Sequence, residues 1–146
     1  KLQVSPYIYG RRQGAMKIEE MRYVRLHAKL GAEILKREGY DQDIMDMVHY
    51  HHENYDGSGY PYRMRGEEIP LGARLIRVCD VFSALVSDRP YRKAFDADTA
   101  FGMVIDEVRH FDMRAFLAFQ RLINTTDIMS RVDQVLHGDI PGLDEK

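Results

Sequence analysis

The sequence has 146 residues, 45% of them apolar and 30% charged, and its 21 Lys and Arg nearly balance 23 Asp and Glu, for a formal net charge of -2 at pH 7. A chain of this size closes one core without staples; its single cysteine, Cys79, excludes an internal disulfide and points to a reducing, cytoplasmic setting. No apolar run reaches the roughly 18 residues of a membrane span, no signal-peptide pattern opens the chain, and a charge so near zero excludes broad binding to DNA while leaving room for a local basic patch.

Residues 1–16 carry Pro6, Gly10 and Gly14 and read as a loop. From Ile18 to about Glu38, apolar residues at Met21, Val24, Ala28, Leu30, Gly31, Ile34 and Leu35 recur at three and four, which predicts an amphipathic helix ending at Gly39. Asp41 or Asp43 caps a second helix, which runs through Ile44, Met47 and Val48 into His49–Tyr50–His51–His52. Pro70 suits the first position of a third helix extending to Leu85, and residues 88–95 form a short basic loop. Two or three more helices follow at 97–110, 112–124 and 126–137, the last with Thr125 or Thr126 as cap, and residues 138–146 read as a frayed tail. Nowhere do four to eight residues alternate as a strand would, so the predicted fold class is all-α.

Half of the six histidines, His49, His51 and His52, fall at the end of one predicted helix. Neutral imidazole is the commonest protein metal ligand, and a solvated polar helix end is the plain alternative. On a regular helix His49 and His52 share a face, and His51 joins them only if the helix frays there. Asp80 lies opposite a stripe of Leu71, Leu75, Val78, Cys79, Phe82, Leu85 and Val86, among Ala73, Ile76, Ser83, Ala84 and Ser87. A carboxylate among small and apolar neighbours is costly unless it meets a cation. Either a metal held by the histidines or a pairing with Arg74 or Arg77 meets that need. His27 sits among Val24, Leu30 and Gly31, where a core role and a ligand role both remain open. Asp56–Gly57–Ser58–Gly59–Tyr60–Pro61 is a turn able to present backbone N–H groups and a tyrosine ring. The loop Asp88–Arg89–Pro90–Tyr91–Arg92–Lys93 offers arginine forks that suit phosphate oxygens, or else a simple surface cluster.

Taken in order, His51–His52–Glu53, Asp56–Gly57–Ser58–Gly59–Tyr60–Pro61, Ile69–Pro70, Arg74 to Asp80 and Arg89–Pro90–Tyr91–Arg92 resemble the HD-GYP family of bacterial phosphodiesterases, from Lys1 to about residue 125. The resemblance implies an HD-domain helical bundle with a GYP loop and C-terminal helices, spanning 1–137 and followed by the tail. It implies a centre of two or three divalent metal ions, with Fe or Mn preferred and Zn admissible, and cyclic di-GMP as substrate. Carried over by position, His27, His51, His52 and Asp80 are the metal-ligating and catalytic residues. Lys1, Gly59, Tyr60, Pro61, Arg89 and Arg92 are the substrate-binding ones, with Tyr60 either packing on a guanine or ordering its loop. Implied partners are GGDEF-type diguanylate cyclases, met through the GYP loop, and an upstream sensory or receiver domain.

Two departures stand out. Where the family's last aspartate is followed three residues on by a second carboxylate, this chain has Ser83, which bears on substrate preference. The family's His-Asp pair precedes the lysine that Lys1 matches, so the expectation is a parent polypeptide continuing upstream. The alternative is a module that binds cyclic di-GMP or a partner protein without hydrolysing it.

Overall fold

The computed structural model describes residues 18–89 and 92–125. The expected loop at 1–16, the helix at 126–137, the tail and Lys1 lie outside the described residues. Those described form five α-helices: α1 (Ile18–Arg37), α2 (Gln42–Tyr50), α3 (Leu71–Leu85), α4 (Ala97–Asp106) and α5 (Met113–Ile123). Short 3-10 turns at Gly66–Glu68 and Val108–His110 complete them, and the described residues contain no strand. The fold is all-α.

α1 stops where expected, at Gly39. With φ at +79°, Gly39 turns the chain left-handed, so that its N–H reaches the Lys36 carbonyl and the Tyr40 N–H reaches that of Leu35. These are the paired bonds that close a helix end. The chain then reverses and α2 packs against α1, over a face of α1 kept small by Ala28, Gly31 and Ala32. Two positions in the predicted apolar face of α1 are misplaced: Leu30 and Ile34 join Leu26 in an outward row.

The main core lies among α3, α4 and α5, built from Val78, Phe82, Val86, Ala100, Val104, Phe111, Phe116 and Phe119. Phe82 meets Phe119 edge to face at 5.3 Å, and Phe101 stacks parallel to Phe116 at 6.2 Å. Such aromatic pairs add about 0.5–1.5 kcal/mol beyond the area they bury. A buried ion pair fastens the same region: Arg74 Nη1 on α3 donates to Asp112 Oδ2 at 2.5 Å. The other carboxylate oxygen of Asp112 accepts the Arg114 N–H and caps α5.

Two expectations are corrected here. The predicted helix over 97–110 is two elements. α4 ends at Asp106 and a 3-10 turn takes over, which brings Phe111 into the core and frees Asp112 to cap α5. The stripe expected to bury α3 is rotated: Leu71 is 55% exposed, Leu75 is 41% exposed and Cys79 is exposed, while Ala73, Arg74, Val78 and Phe82 face inward. This helix is small or apolar nearly all round, so periodicity alone has little contrast with which to choose its inner face.

Candidate metal centre

The centre forms where the middle of α1, the end of α2 and the turn after it come together. α2 closes at Tyr50, with His51 at its cap and His52 in the following turn. His51 keeps helical dihedral angles, φ −64° and ψ −11°, so the departure from helical register comes after it, in the turn that carries His52. His51 and His52 turn inward, whereas His49 stacks on Tyr50 and faces Tyr62.

His27 Nε2 stands 3.1 Å from His51 Nε2 and 3.0 Å from His52 Nε2. On the far side of each ring, the His27 Nδ1–H donates to the Val24 carbonyl at 2.5 Å and the His51 Nδ1–H to the Val48 carbonyl at 2.6 Å. These backbone bonds fix the tautomers of His27 and His51 and leave their two Nε2 lone pairs pointing at one another, with His52 Nε2 set beside that of His27. Lone pairs so placed repel unless a cation lies between them. Two nitrogens each about 2.1 Å from one ion, at angles of about 90–110°, are separated by roughly 3.0–3.4 Å. The two spacings from His27 fit that geometry, ligand atoms of all three rings lie within 4.8 Å of one another, and the donor set suits a divalent transition metal.

Burial keeps the His51 and His52 rings neutral and ready to ligate. It pushes His52 down to about 3, with the neighbouring His51, His27 and Arg77 adding to the effect. His51 is lowered by the same burial, against the opposing pull of its bond to Val48.

Asp80 does not join the three nitrogens. Its Oδ2 stands 4.0 Å from His52 Nδ1, on the outer side of that ring, and its side chain is 42% exposed. It is therefore less enclosed than its neighbours on the helix suggested. Neither arginine weighed as its partner pairs with it: Arg74 pairs with Asp112, and the Arg77 Nε–H donates to the Asn54 Oδ1 at 2.8 Å.

The turn-rich segment is the frame that holds the histidines. Gly59 packs so tightly that a Cβ there would strike the backbone of His52, Glu53 and Asn54. That contact lets the Tyr60 N–H reach the His52 carbonyl at 3.2 Å. The Tyr60 ring stacks on His52 at 4.7 Å, and the Arg25 guanidinium lies over it at 4.8 Å from its centroid. Burial raises the Tyr60 phenol to about 12, so it stays protonated. Pro61 follows and is exposed.

Glu53, only 1% exposed, ties the next stretch back by accepting the Tyr62 and Met64 N–H groups at 2.6 and 3.1 Å. His110, beyond α4, reaches the same frame: its carbonyl accepts the Tyr55 N–H, its Nδ1 lies 2.5 Å from Glu107 Oε2 and its Nε2 lies 3.6 Å from Asp56 Oδ2. Arg25, Glu53 and His110 were not assigned roles from sequence, and Arg77 was considered only as an ion-pair partner of Asp80. Only Glu53 carried a signal, as the third member of the His-His-Glu run.

The two loop arginines differ. Arg92 donates to the Ala84, Leu85 and Lys93 carbonyls and lies over the Phe95 ring, so its donors close the end of α3. Arg89 exchanges backbone hydrogen bonds with Arg92. No helix among the described residues is long and apolar enough to cross a membrane.

Residues 1–115 match the HD domain family. A cyclic di-GMP phosphodiesterase of Pseudomonas aeruginosa is 37% identical over 111 residues, covering 75% of this chain and 27% of that protein. A cyclic di-GMP phosphodiesterase response regulator of Xanthomonas campestris pv. campestris is 40% identical, covering 74% and 29%. The 3'3'-cGAMP-specific phosphodiesterase 3 of Vibrio cholerae is 36% identical over 126 residues, covering 85% and 27%. The chain thus spans less than a third of the length of these relatives. A crystal structure of a cyclic GMP-AMP specific phosphodiesterase of Vibrio cholerae shares the fold, with a TM-score of 0.57 and 21% identity over 80% of this chain and 29% of that one. With a matching family profile, an all-helical fold and the run from His51 to Pro61, the chain belongs to the HD domain family, in its HD-GYP branch.

Proposed function

We propose that this chain carries the metal-binding part of a phosphodiesterase that hydrolyses cyclic di-GMP. The observation that supports it most is the meeting of three Nε2 atoms, two of them left as acceptors because the opposite side of the ring donates to a backbone carbonyl. His27, His51 and His52 would hold one divalent ion. The reading takes two or three ions in the complete centre, Fe or Mn before Zn. A bound ion of this kind supplies Lewis acidity toward a phosphodiester.

The chain's own residues do the rest. Asp80, on the outer edge of His52, orients that ring by charge and stays open enough to accept a proton from water or to serve a further ion. Tyr60, held between Arg25 and His52, keeps its ring committed to the frame, so it orders the loop in preference to stacking on a guanine. Gly59 and Pro61 shape that frame. Arg89 contacts phosphate charge while Arg92 holds the basic loop against α3. Ser83 is exposed and carries no charge to repel a nucleotide phosphate.

The test is elemental analysis joined to hydrolysis of cyclic di-GMP and of 3'3'-cGAMP in parallel. The expected result is bound divalent metal that His51→Ala removes, and conversion of cyclic di-GMP to a linear dinucleotide or GMP. Nucleotide binding with metal but no turnover would favour the non-hydrolytic module instead, and faster turnover of 3'3'-cGAMP would reassign the substrate.

A further inference from the structure

Arg74 and Arg77 lie one turn apart on α3 and have opposite surroundings. Arg74 is buried against the Asp112 carboxylate at 2.5 Å. Arg77 is largely withdrawn from water, yet its hydrogen-bond partner among the described residues is a neutral amide, Asn54 Oδ1, at 2.8 Å from Nε. No carboxylate among the described residues stands within 4.0 Å of it. A guanidinium withdrawn from water with no carboxylate in contact, Asp80 and Glu107 acting on it only from a distance, is incompletely compensated. The shortfall is greater beside three imidazoles arranged to gather a second positive charge.

The amide that holds Arg77 is itself fixed. Asn54 Nδ2 donates to Ser58 Oγ at 2.9 Å, and Ser58 Oγ donates to Asp56 Oδ1 at 2.6 Å. Asn54 is two residues beyond His52, and Arg77 precedes Asp80 by one turn on the same side of α3. Arg77 is thereby fastened to the turn that delivers His51 and His52. With Nε occupied, no hydrogen bond from a described residue engages the Nη1–Nη2 edge, which matches two oxygens of a phosphate group. The charge of Arg77 is felt at His51, His52 and Tyr60, and that of Asp80 is felt at Arg77, which agrees with the placement of Arg77 beside the turn of the centre.

We propose that Arg77 is a phosphate-binding residue of this centre, its Nη fork taking two non-bridging oxygens of a phosphodiester held beside His27, His51 and His52. This rests on the centre being a phosphodiesterase site, and the partner it adds is the charge that balances Arg77. Asn54 and Ser58 act as positioning residues, holding the guanidinium plane.

The test is calorimetric titration of the Mn(II)-loaded chain with inorganic phosphate and, separately, with cyclic di-GMP, for the wild type, Arg77→Lys and Arg77→Met. The expected result is a loss of about 30-fold or more in affinity for both ligands in Arg77→Met, and of about 5- to 10-fold in Arg77→Lys, which keeps the charge and loses the fork. Metal content stays the same in all three. Should Arg77→Met fail to fold, Arg77→Lys decides alone: affinities equal to wild type overturn the proposal. Equal phosphate binding by wild type and a folded Arg77→Met, or no phosphate binding by the wild type, also overturns it. A wild type that binds phosphate through Arg77 but binds no cyclic dinucleotide keeps Arg77 in its role and refutes the cyclic di-GMP reading.

Discussion

The aromatic core and the histidine centre are two solutions to burial within one small fold. Among α3, α4 and α5, apolar rings meet rings and the one buried charge pair is closed at 2.5 Å. At the centre, three imidazoles bring their Nε2 atoms together at 3.0 and 3.1 Å, and although the Val24 and Val48 carbonyls take the Nδ1–H groups of His27 and His51, no donor from outside the three rings among the described residues meets the Nε2 side. The first arrangement stabilises the chain by itself. The second lowers stability until a cation arrives, and it stands only because Gly39, Gly59 and Glu53 hold the backbone around it. Stability and function are therefore separable in this molecule, and substitutions should sort by region.

The largest effect belongs to the core. Asp112→Ala leaves Arg74 as an unpaired buried cation whose Nε already lacks a partner; we expect a loss of about 3–5 kcal/mol in urea unfolding, with metal affinity per folded molecule unchanged. At the centre the pattern reverses. His52→Ala should reduce metal affinity at least about 100-fold while the metal-free protein unfolds at the same or a higher urea concentration, because the substitution relieves the crowding of nitrogens. Gly59→Ala bridges the two classes: its Cβ runs into the backbone that carries His52, so about 1–3 kcal/mol should be lost together with metal affinity.

Acid separates the regions by their titration windows. Burial holds the folded pKa of His52, and to a lesser degree His51, below the ordinary value. The unfolded chain therefore takes up protons below about pH 6.5 that the folded chain refuses. Stability of the metal-free protein should be full above that pH and decline as pH falls toward 3. Asp112 acts lower. Burial favours its neutral form, but the Arg114 N–H and the Arg74 guanidinium outweigh this and hold its pKa below the usual carboxylate range. Its contribution is present above about pH 4 and is lost as pH falls through its folded value. Thermal melts from pH 8 to 3 check this: substituting both histidines removes the upper decline, and Asp112→Asn the lower one.

Much of the fold was legible. The helices at Ile18–Arg37, Gln42–Tyr50, Leu71–Leu85 and Met113–Ile123 follow from apolar spacing, Gly39 and Pro70. What periodicity could not supply was which side of a nearly all-apolar helix meets a neighbour, so Leu75 and Cys79 were placed inside. The break after Asp106 was hidden because Glu107, Val108, Arg109 and His110 continue a helical composition. At the centre, local clustering pointed to His49, His51 and His52 alike and could not set aside His49, which stacks on Tyr50, while His27 needed the resemblance to raise it. Contacts between distant positions left no local trace: Arg74 with Asp112, Arg77 with Asn54, Arg25 with Tyr60 and His110 with Asp56. A side chain's spare hydrogen bonds are equally invisible, as with Arg92, whose donors go to backbone carbonyls.

The central claim is that His27, His51 and His52 share one ion through Nε2. Titrating the metal-free chain with Zn(II) while following the histidine ring resonances by nuclear magnetic resonance tests it residue by residue. The account predicts that these three move together and saturate at one equivalent through their Nε2 atoms, while His49 and His110 stay in place. Perturbation of His49 or His110 at that first equivalent, or movement of His51 and His52 without His27, would contradict it.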